Sequence, residues 1–204
     1  KSGAPMHDNP PSRLFLGTFM ASYFRAGFGY AISATFIVAI VDGLPGLAGQ
    51  GALAFLAIGL AATPAAFNWD LIARYTGDIN ALILAAVLQI VGIALPVAVG
   101  GLFATIFGAL LFGGTFIGMV SLVLTMAGRY YPTRPAKMMG KMTLSYGVAQ
   151  IIGPAIVGWL ATRLGNYSIG LTIAAGVMVV GVVLWVILKF VEKRDAVPVP
   201  GVQT

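Results

Sequence analysis

Long apolar runs separated by short polar breaks dominate the sequence. Six of them reach the roughly 20 residues that a helix needs to cross a bilayer core. They extend from about Leu14 to Val41, Gln50 to Ile72, Ile79 to Val99, Leu102 to Ala127, Met142 to Ala161 and Tyr167 to Val191. The breaks carry turn residues: Asp42-Gly43-Leu44-Pro45-Gly46, Thr76-Gly77-Asp78, Gly100-Gly101 and Gly165-Asn166. Only Arg129 to Lys141 reads as a longer polar loop. Strands of a membrane barrel alternate over ~10 residues, and these runs are too long and too evenly apolar for that. The pattern predicts an all-α integral membrane protein with six transmembrane helices. It has a polar head over residues 1–13, a helical bundle over 14–191 and a tail over 192–204.

Composition agrees with the pattern. Apolar residues make up 59% and charged residues 9%, against about a quarter charged in soluble domains. Such a chain cannot cover its surface with polar groups in water, which excludes a soluble enzyme and a nucleic-acid-binding domain. The net charge of +6 is a matter of placement. Lys1, Arg13, Arg74, Arg129, Arg134, Lys137, Lys141, Lys189, Lys193 and Arg194 fall on one side if six spans alternate, and Arg163 alone falls on the other. Basic residues favour the cytoplasmic side, so both termini are expected there, with membrane lipid as the surrounding partner. The polar head, with Pro10 and Pro11, reads as the end of a linker and not as a cleavable signal peptide. The opening at Lys1 in place of a methionine suggests that residues precede it.

Polar groups at membrane depth each need a reason, since an ionised group there costs several kcal/mol. Arg25 lies some 16 Å into the first span at ~1.5 Å per residue. Ser22, Arg25, Gly29 and Ser33 share a stripe about 80° wide, with Tyr30 at its edge. A guanidinium there either binds an anionic solute such as a carboxylate, or caps helix carbonyls or pairs with an acid from another helix. In the fifth span Thr143, Tyr146, Gln150 and Gly153 form a similar stripe, followed by Pro154, and read as a cavity wall or a packing seam. Gln89 stands alone in the third span, suited to an interhelical hydrogen bond or to the solute. Gly114, Gly118, Ser121 and Thr125 line one face of the fourth span, a small-residue pattern that favours close helix packing. Asp70 and Arg74, four residues apart near the end of the second span, read as a structural or gating ion pair. Asp42 reads as a solvated turn residue.

No Asp, Glu or His occurs at mid-depth in any span, so a proton-coupling carboxylate has no candidate here. Cysteine is absent, and His7 is the only histidine. Metal, haem and other cofactor sites, and a catalytic Ser/His/Asp set, are therefore not expected.

The runs Gly29-Tyr30-Ala31-Ile32-Ser33-Ala34-Thr35-Phe36 and Leu111-Phe112-Gly113-Gly114-Thr115-Phe116-Ile117-Gly118 resemble the C-terminal half of the major facilitator superfamily, in its bacterial YbfB/YjiJ-like branch. The segment from Gly153-Pro154 through Gly158-Trp159-Leu160-Ala161-Thr162-Arg163-Leu164-Gly165 is similar to the penultimate helix of many members. The resemblance covers about Leu14 to Phe190. Two departures stand out. The family's acidic-basic loop motif after the second span is reduced to Ala73-Arg74-Tyr75-Thr76-Gly77, and Thr162 replaces an Asp after the fifth.

The resemblance implies one half of a twelve-span bundle in a bacterial inner membrane, completed by an N-terminal six-helix half or a second copy. It implies a secondary transporter that moves a small, anionic solute by rocking of the halves. First and fourth spans line the cavity in this family, so Arg25, Tyr30, Ser33 and Thr115 are the expected solute contacts. Ser22, Gln89, Tyr146 and Gln150 are expected to support them, with Asp70, Arg74, Gly153 and Pro154 in gating or structural positions. The alternatives are a non-transporting scaffold in a larger complex and a six-span half-transporter working as a dimer.

Overall fold

The computed structural model describes residues 7–165 and 168–195. Its helices are α1 (Arg13–Asp42), α2 (Gly51–Ala62), α3 (Ala65–Thr76), α4 (Asp78–Ala98), α5 (Gly101–Tyr130), α6 (Pro135–Leu164) and α7 (Ser168–Asp195). No strand occurs among the described residues. Helices α1, α4, α5, α6 and α7 are each long and apolar enough to cross a membrane, and α2 with α3 qualifies as a sixth span bent by 49°.

Three boundaries depart from the hydrophobic pattern. The second run is two helices, broken at Thr63-Pro64. Proline has no N–H to give and its ring crowds the carbonyl four residues back, so α2 stops there. Thr63 closes α2 with both its N–H and its hydroxyl on the Gly59 carbonyl, at 3.3 and 3.1 Å. The polar stretch from Arg129 to Lys141 is mostly helix: α5 continues to Tyr130 and α6 begins at Pro135. Pro135 at the first helical position costs no hydrogen bond, and Ala136, Lys137, Met138 and Met139 are good helix formers. The tail expected from Glu192 starts as the last turn of α7, and the rest of it lies outside the described residues, as do residues 1–6, Asn166 and Tyr167. At the other end, Ser12 caps α1 by accepting the Phe15 N–H on its hydroxyl oxygen at 3.1 Å.

The bundle is organised around α1, which packs along α7 on one flank and α6 on another. Helix α4 lies against α5 and α7, while α2 and α3 lie against α5. Small residues set these distances. A Cβ on Gly108 would stand 2.6 Å from the Gly92 carbonyl oxygen, so α4 and α5 meet with backbones in contact. Gly118 of α5 receives the ring of Trp69 from α3, whose indole N–H donates to the Gly114 carbonyl at 2.6 Å. The stripe read as a packing face is therefore one at Gly118, where no side chain would fit. Outside, Phe67 and Phe103 are 73% and 83% exposed. That suits a surface bathed in lipid and would be a liability in water.

One end of the bundle gathers the starts of α1, α4 and α6 with the ends of α3, α5 and α7, and nearly all the described basic residues. Arg129 pairs with Asp78 across the α5 and α4 termini. Asp8 accepts from the Thr133 N–H and hydroxyl at 3.0 and 2.6 Å and faces Arg134 at 3.3 Å. The segment before α1 is thereby tied to the α5–α6 turn. At the opposite end, the Arg163 guanidinium lies 4.5 Å above the Trp159 ring. Asp42 is more than a solvated turn residue: its Oδ1 accepts the Gly51 N–H at 2.8 Å, capping α2.

Candidate solute-facing wall and the buried polar positions

Tyr23 and Tyr30 are seven residues apart on α1, so they share one face of the helix. Tyr146 of α6 stands against both, with ring centroids 4.6 Å from Tyr23 and 6.0 Å from Tyr30. From α5, Phe112 and Phe116 complete the group. Tyr30 stacks 4.6 Å from Phe116 and 6.0 Å from Phe112. Five rings from three helices thus form one ladder, each near-parallel pair at a spacing that favours aromatic attraction. Tyr30, Phe116 and Tyr146 are only half-buried, so part of the ladder is open. The three phenol hydroxyls make no hydrogen bond to any described residue, which leaves each with a donor and an acceptor to offer.

The stripe of Ser22, Arg25, Gly29 and Ser33 points elsewhere. Gly29 abuts Met178 of α7, and the Arg25 Cβ lies 3.7 Å from where a Cβ on Gly181 of α7 would be. Five helical residues separate Arg25 from Tyr30 by about 140° of rotation, so the two leave α1 on different sides. Half-buried Arg25 donates from Nη1 to the Ala21 carbonyl of its own helix at 3.1 Å. No carboxylate pairs with it among the described residues. Its remaining N–H groups keep their donor capacity and its charge is uncompensated within this bundle. Ser22 is fully buried and donates to the Thr18 carbonyl at 2.8 Å.

Ser33 and Thr115 sit in the interior, each 2% exposed. The Thr115 hydroxyl is shared by the Leu111 and Phe112 carbonyls at 2.8 and 3.0 Å, so its donor is used within α5. Ser33 Oγ has no partner and borders a small void between α1, α2, α4 and α5. Gln89 of α4 is 1% exposed, and its Oε1 is also without a partner. These are the two buried polar atoms, among those described, that the bundle leaves unsatisfied, at a cost of about 1–3 kcal/mol each where nothing else reaches them.

On α6 the stripe divides. Tyr146 and half-buried Gln150 remain available, whereas Thr143 donates to its own Met139 carbonyl at 3.0 Å. Gly153 is a packing contact, since a Cβ there would stand 3.1 Å from the Phe28 carbonyl oxygen, and Pro154 follows within the unbroken helix. Asp70 and Arg74 form the expected pair, with Arg74 Nε and Nη2 both on Asp70 Oδ2 at 2.9 and 2.8 Å. Both side chains are well exposed to the surroundings.

Sequence reading missed Tyr23, Phe112 and Phe116 as members of the ladder. The seven-residue spacing of Tyr23 and Tyr30 and the four-residue spacing of the phenylalanines were visible signals. It also missed the Asp8 and Asp78 pairs, which join segments far apart in the chain and leave no local pattern.

The sequence profile of a family described as "Uncharacterised MFS-type transporter YbfB" matches residues 2–186. No curated protein matches the chain. Among solved structures, the POT-family transporter PepTSo superposes with a TM-score of 0.74 at 14% identity, covering 96% of this chain and 40% of that one. A POT peptide transporter in complex with sulfate gives 0.71 at 20% identity, over 92% and 41%. The fucose:proton symporter FucP of E. coli gives 0.68 at 14% identity, over 87% and 43%. At these identities the likeness is one of fold. The chain spans about two fifths of the length of each of these transporters.

Proposed function

The chain belongs to the YbfB-type family of major-facilitator transporters and is a multi-pass membrane protein, and from that premise we propose that it is one six-helix half of a secondary transporter. In this reading it is the C-terminal half, with its basic end and both termini in the cytoplasm of a bacterial cell and its spans in the inner membrane. An N-terminal six-helix half, or a second copy, closes the solute cavity. Rocking of the two halves then exposes the midplane site to each side in turn.

The observation that carries the reading is the half-open aromatic ladder joining α1, α5 and α6, with phenol hydroxyls that the bundle itself does not use. Tyr30 and Tyr146 offer the solute flat apolar faces together with hydrogen bonds. Arg25 acts differently. Among the described residues it is the one cation deep in the bundle, no described carboxylate neutralises it, and the low dielectric around it spreads its field farther than water would. It favours a solute of negative charge, such as a small carboxylate, without having to touch the rings. Ser33 and Thr115 then shape the support behind the wall, and Ser22, Gln89 and Gln150 adjust its polarity. Asp70 and Arg74, paired at the exposed end of α3, take a gating or structural position.

The test uses the full-length protein. A panel of small carboxylates and uncharged analogues is screened for thermal stabilisation, and uptake of the best solute is then measured in proteoliposomes. Tyr30→Ala should lower uptake by about tenfold or more, the loss of ~1.4 kcal/mol of contact, while Tyr30→Phe should keep most of it. Arg25→Ala should erase the preference for carboxylates over uncharged analogues. Normal uptake by a folded Tyr30→Ala protein would remove the wall from the mechanism. An unchanged charge preference in Arg25→Ala would remove the anionic solute.

A further inference from the structure

The largest concentration of unpaired positive charge lies at the basic end, outside the ladder. A hollow of about 230 Å³ opens between the starts of α1 and α6, bordered by Arg134, Lys137 and Lys141 beside Leu16, Met20 and Met138. Arg134 shares its charge with Asp8 at 3.3 Å. Lys137 and Lys141, one turn apart on α6, have no carboxylate partner among the described residues. The same side of α6 continues away from the lysines as an exposed apolar track. At 100° per residue, Lys137, Lys141, Leu144, Val148 and Ile151 share one face about 80° wide, and the last three are 69%, 40% and 74% exposed. Charge at one end of a strip and bare hydrocarbon along the rest is the complement of one kind of molecule, an amphiphile with an anionic head.

We propose that this hollow holds the phosphate of an anionic phospholipid, with an acyl chain lying along Leu144, Val148 and Ile151. Two ammonium groups and a guanidinium meet the phosphate diester. The lysine stems cover the apolar floor while their charged ends reach the headgroup level. Basic pockets between membrane helices recognise anionic headgroups by this division of labour. Free phosphate would use the cations but leave the apolar track without an occupant.

The experiment uses the full-length protein in detergent, titrated with dioctanoyl-phosphatidylglycerol, dioctanoyl-phosphatidylcholine or inorganic phosphate, with bound lipid counted by native mass spectrometry and stability by thermal shift. Phosphatidylglycerol should bind and stabilise, phosphatidylcholine should do so much less, and phosphate at equal concentration should have little effect. The double variant K137Q/K141Q should weaken phosphatidylglycerol binding by about 10-fold or more, while K189Q/K193Q, which removes the same charge from another part of the same end, should not. Equal loss in both variants would reduce the effect to general charge attraction and overturn the site. Equal binding of the two lipids, or stabilisation by phosphate matching that by phosphatidylglycerol, would overturn the anionic-lipid assignment. So would absence of lipid binding in the full-length protein, where the other half would then cover this face. Leu144→Gln, an exposed substitution that leaves every cation in place, should weaken lipid binding alone. Unchanged binding in Leu144→Gln would remove the acyl track.

Discussion

Gly118 shows what a single side chain can decide in this bundle. The Trp69 ring occupies the place where a Cβ would go, and that placement lets the indole N–H reach the Gly114 carbonyl at 2.6 Å. Gly118→Ala should therefore displace the indole, break this bond and lower the midpoint of thermal unfolding in micelles, an overpacking cost of about 1–3 kcal/mol. Gly114→Ala is the matched control, because its Cβ would meet nothing nearer than Ala61 at 4.0 Å. Equal behaviour of the two variants would sink the argument. The small-residue stripe was legible in the sequence as a packing face, since periodicity reveals which residues share a side of a helix. Its partner Trp69 was not legible, because nothing in a one-dimensional pattern states what lies across the interface. Arg25 illustrates the same limit. Its depth follows from counting residues, but its direction, toward Gly181 of α7 and away from Tyr30, depends on how α1 is rotated in the bundle.

Among the elements, the hydrophobic pattern located every span and misplaced the ends of several. Apolar length registers where a helix meets hydrocarbon, whereas a helix itself ends where its backbone bonding ends. That is why Lys137 and Lys141 looked like loop residues and belong to α6. The break at Pro64 was hidden for the opposite reason, since hydropathy does not change across it. Pro64→Ala restores an N–H and removes the ring from between α2 and α3, so the 49° bend should relax toward a straight span. Spin labels at exposed Leu53 and Tyr75 would report this as a longer distance in the variant. An unchanged distance would mean that packing of α2 and α3 against α5, and not the proline, imposes the bend. The backbone contact of Gly113 with Ile58 is the feature that would hold it.

At the scale of the whole molecule, the family, the six-span count and the placement of the basic residues at one end were readable from composition and motif. The aromatic ladder was not, because it is assembled from three helices separated by long stretches of chain. The tie between the two sides of the basic end was equally hidden, and it yields a prediction about pH. Asp8 fastens the segment before α1 to the α5–α6 turn, and its carboxyl is held below the ordinary carboxylate value. The Thr133 hydroxyl hydrogen bond is the leading cause, opposed by desolvation and helped by the Thr133 N–H and Arg134. A carboxylate held low in the folded state contributes stability that is fully present above its unfolded value near 3.8 and is lost as pH falls through the lowered folded value. Amide hydrogen exchange, corrected for its intrinsic pH dependence, should thus show the Asn9 N–H, bonded to the Tyr130 carbonyl at 3.1 Å, protected at pH values well above 3.8 and released in stronger acid. Asp8→Ala should exchange there at all pH values as the wild type does in acid. In Asp8→Asn the side-chain oxygen can still accept from Thr133 but carries no charge for Arg134, so partial protection with no acid transition is expected. If Asp8→Ala stays as protected as the wild type at neutral pH, the Asn9–Tyr130 backbone bond alone fastens this segment, and acid would then leave its tie to the α5–α6 turn intact.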